Sequence, residues 1–303
     1  MTRSLTLFFI VEAPGYQYKA CYLAASIREH LDPDIELVGY CPAERRDKLD
    51  PAVIETLARL GCEVRTFETD GKFRTPYPHG NKLLACLEPR QTAFSGFLDS
   101  DIIFVRDQDI STWFKDGHVA CSPATSMGWA DQSIWDEIYR HLEMPFPTER
   151  IQLMRKKKPL VVPYFSSGVV YFPEDHRNAA GQSFAEVWMD TALRIDALDS
   201  VPQKRPYLDQ LSLPLAIKRA DLTWNPLPEE QNFYLGGRMR HKTLPKTRAI
   251  CTVHYRHWAF LEEAKLRKTA YQMLQNTTGA RRIKKVPLAP MPDAAKARFA
   301  KIQ

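Results

Sequence analysis

The chain has 303 residues, 44% of them hydrophobic and 26% charged, a balance that excludes a disordered or fibrous chain and predicts a globular protein with a sizeable core. Net charge is +6, concentrated at residues 155–158 and 281–285; such clusters suit anionic surfaces or phosphorylated ligands, but no aromatic or zinc signature of nucleic-acid recognition accompanies them. No apolar run approaches bilayer-spanning length, and the six scattered cysteines include no Cys-x-x-Cys, so the expectation is a cytoplasmic protein with free thiols that at most touches the cytoplasmic face of a membrane.

Residues 4–11 are a continuous apolar run, as in a parallel strand buried on both faces, and Glu12, Pro14 and Gly15 end it. Helical spacing over 18–31 turns Tyr22, Ala25, Ile27 and Leu31 toward a core. Residues 35–40 read as a second strand, 51–60 as a helix closed by Gly61 in a left-handed cap, and 62–67 as a third strand. This alternation predicts an α/β fold, a mostly parallel central sheet with helices on both faces, and ligands at the carboxyl ends of the strands. A short helix over 81–87 sets Lys82 beside a helix N-terminus suited to an anion.

Over residues 96–105, Gly-Phe-Leu-Asp-Ser-Asp-Ile-Ile-Phe-Val, an apolar strand runs into two carboxylates one residue apart at its end, and a second apolar run follows at once. Alternation would turn Asp99 and Asp101 to the same face. Two carboxylates side by side repel and are costly to desolvate, and a hard divalent cation removes that cost. A strand follows at 119–123. Residues 125–158 are irregular and rich in aromatic, proline and basic residues, and read as an insertion over the site. There Trp129, Trp135 and Tyr139 are either a sugar platform or plain core. Two strand-like segments over 161–172 flank Ser166, Ser167 and Gly168. Helices are expected over 184–195 and from 207, then a strand over 249–253 that runs into His254, a helix over 262–274, and a weakly packed basic tail or terminal helix beyond 277.

Taken in order across residues 4–258, Asn81-Lys82, Phe97-Leu98-Asp99-Ser100-Asp101, Phe165-Ser166-Ser167-Gly168-Val169, Asp209-Gln210 and the late His254 resemble the motifs of the retaining glycosyltransferases of family 8, which share the GT-A nucleotide-sugar fold. The resemblance implies a Rossmann-like nucleotide-sugar-binding domain over 1–258, with 125–160 as an acceptor-side insertion, and a C-terminal helix and basic tail over 259–303. It implies a metal-dependent hexosyl transfer from a UDP-sugar to a glycan or lipid-linked acceptor. Asp99, Asp101 and His254 would hold Mn²⁺ or Mg²⁺, the imidazole favouring Mn²⁺. Phe9, Val11 and Glu12 would border the uracil and ribose, and Lys82, Ser100, Ser167 and Gly168 the rest of the donor. Asp209 would bind donor-sugar hydroxyls, with Gln210 near the anomeric carbon.

The chain departs from the family pattern at three points. Ser166 stands where asparagine is expected, Lys82 where arginine is commoner, and Tyr255-Arg256-His257-Trp258 where an ending with a phosphate-binding lysine is expected, leaving Arg256 as the substitute. Plainer roles compete for single residues: His254 as a hydrogen-bonded strand end, Asp209 as a helix cap. Two other functions fit parts of the pattern. One is a nucleotide- or glycan-binding protein of the same fold without turnover. The other is a haloacid-dehalogenase-type phosphatase with Asp99 as nucleophile, disfavoured by Ile103 and by the position of the pair a third of the way along the chain.

Overall fold

The apolar runs assemble as the centre of a seven-stranded sheet in a computed structural model that describes residues 4–154, 159–236 and 242–302; the basic cluster at 155–158 lies outside the described residues. β1 (Leu5–Ile10), β2 (Glu36–Pro42) and β3 (Cys62–Phe67) run parallel and are linked by α1 (Tyr16–His30) and α2 (Pro51–Arg59). Asp50 caps α2, its Oδ1 accepting from the Ala52 N–H at 2.9 Å, and Pro51 at the first helical position needs no N–H partner. Gly61 ends it with φ +60°, as expected.

α3 (Asn81–Leu87) leads into β4 (Phe94–Leu98), which pairs in parallel with the other side of β1. Beyond β5 (Ile102–Phe104), β6 (His118–Pro123), α4 (Ile134–His141), β7 (Ile151–Gln152) and β8 (Leu160–Val161) comes β9 (Phe165–Pro173), antiparallel to both β4 and β6 and buried along its whole length. α5 (Phe184–Asp196), opened by a Ser183–Glu186 capping box, packs against α6 (Leu208–Arg219), and β10 (Thr223–Pro226) completes the order β10-β6-β9-β4-β1-β2-β3. One core, with Phe8, Phe97, Phe172 and Trp188, holds α5 and α6; the other, with Leu7, Phe9 and Val11, holds α1 and α2.

The structure differs from the sequence reading in four places. The chain is not extended through the carboxylate pair: β4 stops at Leu98, the Ile102 N–H donates to Asp99 O at 3.1 Å to close a turn, and β5 leaves for a second sheet. That sheet joins it to β11 (Phe233–Tyr234) and β12 (Thr252–His254) in the order β11-β12-β5. Ser166, Ser167 and Gly168 lie inside β9, not between two strands. The helix expected over 262–274 is two, α7 (Trp258–Glu263) and α8 (Arg267–Thr278), separated by Lys265 at φ +62°. Finally, the segment after 278 packs well before α9 (Asp293–Ile302). Ile283 and Val286 are buried, and the guanidinium of Arg59 donates to Thr278 O at 3.1 Å and Ala289 O at 2.9 Å. All six cysteines are free, and no described helix is long and apolar enough to cross a membrane.

Candidate active site

The turn after β4 is tied down on both sides. The Asp99 N–H donates to Gly168 O at 2.8 Å, and Ser100 Oγ donates to Ile10 O at the end of β1. The carboxylates therefore meet through a turn at the carboxyl end of a parallel strand, not through strand alternation. β12 supplies the third group. Its antiparallel register pairs His254 with Ile102, and the Tyr255 N–H donates to Asp101 O at 3.0 Å. His254 Nε2 consequently lies 3.1 Å from Asp101 Oδ1 and 3.8 Å from Asp99 Oδ2. One ligand atom from each of Asp99, Asp101 and His254 falls within 4.8 Å of the others.

This donor set fits a divalent cation. Two carboxylates and an imidazole, two of the three buried, offer the oxygen and nitrogen donors that divalent first-row cations take. Burial alone would push the Asp101 carboxyl up; the adjacent His254 and Lys19 hold it down, at about 2. Gly168 leaves the room: a Cβ there would sit 2.8 Å from His254 Cε1 and 2.9 Å from Asp99 Oδ2.

Beside this cluster Lys82 is buried, not a surface lysine. Its Nζ lies 3.1 Å from Asp99 Oδ1, 2.8 Å from Asp209 Oδ2 and 3.1 Å from Ser167 Oγ. Burial opposes its charge, and the two carboxylates more than offset that, raising its pKa. Asp209 is likewise opposed by burial and held below the usual carboxylate range by Lys82 and Ser167. Asp209 does not cap α6, whose cap position is Tyr207; Trp188 Nε1 donates to Asp209 O at 3.2 Å and fixes the start of the helix. Asp209 Oδ1 is buried and has no hydrogen-bond partner.

These groups form the floor of a cleft of about 560 Å³, which Glu12, Ser100, Ser167, Gly168, Gln210 and Arg256 also line. Glu12 accepts from Asn81 Nδ2 at 3.1 Å, and burial raises its pKa. Phe9 and Val11 do not face the cleft. Both are fully buried in the core beneath α1, because alternation along β1 turns Ile10 and Glu12 to the cleft and their neighbours away. Of the three aromatics weighed as a sugar platform, Trp135 and Tyr139 are core. Trp129 lines the cleft, stacked on Tyr207 at 4.5 Å and 10°.

The sequence reading missed Tyr16, Lys19, Asn232 and Tyr234. Tyr16 lines the cleft mouth, and Lys19 Nζ lies 3.5 Å from Asp101 Oδ2; both sit in the first turn of the helix after β1, where the rule on strand ends points. Tyr234 stacks on the His254 ring at 4.4 Å, and Asn232 is fully buried behind it. No motif marks either residue.

A family model described as the Rhodobacterales glycosyltransferase domain matches residues 7–221. Among solved structures, the chain resembles the crystal structure of the galactosyltransferase LgtC in complex with donor and acceptor sugar analogs. The TM-score is 0.54 at 13% identity, covering 97% of this chain and 99% of that one. It also resembles the apo structure of the bifunctional glycosyltransferase WbbM, with a TM-score of 0.55 at 13% identity, covering 94% of this chain and 52% of that one. At such identity the likeness shows the fold, the GT-A arrangement of a mostly parallel sheet between helices. No curated protein matches the sequence.

Proposed function

Because the chain belongs to the Rhodobacterales glycosyltransferase domain family and is a glycosyltransferase of GT-A fold, we propose that it transfers a sugar from a UDP-sugar, with a divalent cation at Asp99, Asp101 and His254. The observation that carries this reading is the convergence of those three side chains on the floor of the one cleft that also holds Lys82, Asp209 and Gln210. A bound Mn²⁺ or Mg²⁺ would take up the charge that grows on the diphosphate as the anomeric bond breaks.

The chain's own residues divide the remaining work. Asp99 and Asp101 supply oxygens and His254 Nε2 a nitrogen, which favours Mn²⁺ over Mg²⁺. Lys19 and Arg256 add positive charge at the diphosphate side, where the family's ending would place a lysine. Ile10, Glu12 and Asn81 border the nucleoside. Lys82 and Ser167 occupy Oδ2 of Asp209, leaving Oδ1 to accept from a donor-sugar hydroxyl beside Gln210. Trp129, presented by the stretch after β6 and backed by Tyr207, offers a ring face to a glycan or lipid-linked acceptor. Retention of anomeric configuration, and a cytoplasmic site of action with contact to an anionic membrane face, belong to the same proposal. So does the division into a transferase domain over 1–258 and a C-terminal segment over 259–303.

The match to a transferase family leaves the phosphatase alternative without support. Thermal-shift measurements with UDP-sugars test the proposal. A rise in melting temperature that requires Mn²⁺ is expected, since a ligand that binds only the native state stabilises it. A rise that ignores the metal, or none, would overturn it. Donor hydrolysis under the same conditions separates an enzyme from a binding protein.

A further inference from the structure

Behind the cleft, Asn232 makes three side-chain contacts although no part of it is exposed. Its Nδ2 donates to Ser122 Oγ at 2.9 Å and to Ser166 Oγ at 3.0 Å, which uses both amide hydrogens. Its Oδ1 is left facing His254 Nδ1 at 3.3 Å. Ser166 completes the arrangement. It accepts from the Gly168 N–H at 3.3 Å as well as from Asn232, and its own hydrogen is shared with Tyr234 OH at 2.6 Å. Tyr234 in turn stacks on the imidazole.

We infer that Asn232 is a positioning residue for the metal site: by accepting a hydrogen bond from Nδ1–H of His254 it leaves Nε2 as the ligand atom turned to Asp99 and Asp101. The inference rests on the cation proposed above. A carboxamide oxygen can only accept, so the imidazole presents a hydrogen to it. The proton of the neutral ring is then on Nδ1 and the lone pair on Nε2, the nitrogen 3.1 Å from Asp101. A reversed amide would present a donor to Nδ1, and the ring would carry its proton on Nε2, against the cation. Tyr234 limits rotation of the ring from its face. Ser166 thus has a purpose in this chain: the small hydroxyl leaves space for the Asn232 amide and accepts one of its hydrogens.

The test compares Mn²⁺ binding, read from the electron paramagnetic resonance of free Mn²⁺, in the wild-type protein and in Asn232→Leu and Asn232→Asp. Leucine keeps the branching and the number of side-chain heavy atoms but removes the acceptor, and is expected to loosen Mn²⁺ by about 10–100-fold. Aspartate keeps an oxygen toward Nδ1 and is expected to bind as the wild type does. Equal affinity in wild type and Asn232→Leu overturns the inference and leaves the metal site standing. Absence of Mn²⁺ binding in the wild type overturns both. A measurement without substitutions guards against a variant that fails to fold: long-range ¹H–¹⁵N spectra of the wild-type protein loaded with diamagnetic Zn²⁺. A protonated Nδ1 with a metal-bound Nε2 on His254 is expected, and the opposite assignment overturns the inference.

Discussion

The ammonium of Lys82 bridges Asp99, at 3.1 Å, and Asp209, at 2.8 Å, joining the proposed metal ligands to the proposed sugar-binding carboxylate through one buried cation. Removing it leaves Asp209 charged, buried at the cleft floor and without its cation. Lys82→Met is therefore expected to destabilise the fold by about 3–5 kcal/mol. Urea denaturation checks this, and Lys82→Met combined with Asp209→Leu should recover most of the loss, because the uncompensated charge goes with it.

Asp209→Asn keeps the shape and removes the charge. Its neutral amide still fills the site beside Ser167, and Lys82 keeps Asp99 as partner. The expected result is a fall in kcat/KM of about 10²–10³-fold, with a smaller effect on UDP affinity. Steady-state kinetics beside calorimetric UDP binding separates the two, and an unchanged kcat/KM would remove Asp209 from the donor site.

Gly168→Ala places a methyl group where the imidazole and Asp99 approach, at 2.8–2.9 Å from their atoms. One of them must move away from the other. Calorimetry of Mn²⁺ with UDP should show the metal-dependent component of binding lost. The melting temperature of the metal-free protein should change far less than it would for a residue inside the core.

Asp50 carries a pH prediction. The Ala52 N–H and then the Tyr18 hydroxyl hold its carboxyl below the 3.8 of an unperturbed aspartate. A carboxyl depressed in the folded state contributes stability above its unfolded value and loses it as pH falls through the folded one. Asp50→Ala should thus cost about 1 kcal/mol at neutral pH. The gap between variant and wild type should close below pH 3.8 in acid titrations of unfolding.

Much of the fold could be read from the chain because its strands are apolar on both faces and its helices are punctuated: Asp50-Pro51 opens one and Gly61 closes it. The carboxylate pair stood out for the same reason, as polar residues between two apolar runs. What those runs concealed was their destination. Ile102, Ile103 and Phe104 are as apolar as Phe97 and Leu98, and nothing local says that they pair with residues 252–254 in another sheet. The identical cause hid the parity of β1. When both faces are buried, hydrophobicity does not reveal which of Phe9 and Ile10 meets the cleft. Lys82 was legible by position but not by burial, since its partners Asp99 and Asp209 are far apart in sequence. Asn232 and Tyr234 left no trace: Tyr234 lies in a two-residue strand too short to carry a pattern, and Asn232 in the turn just before it.

The small β11-β12-β5 sheet has a consequence for the order in which the molecule is completed. A nascent chain carries both aspartates well before the imidazole, which is encoded more than 150 residues later. Until residues 252–254 zip against 102–104, the acidic turn has no nitrogen donor. Tight capture of the proposed cation would therefore wait for that pairing rather than for the acidic turn itself.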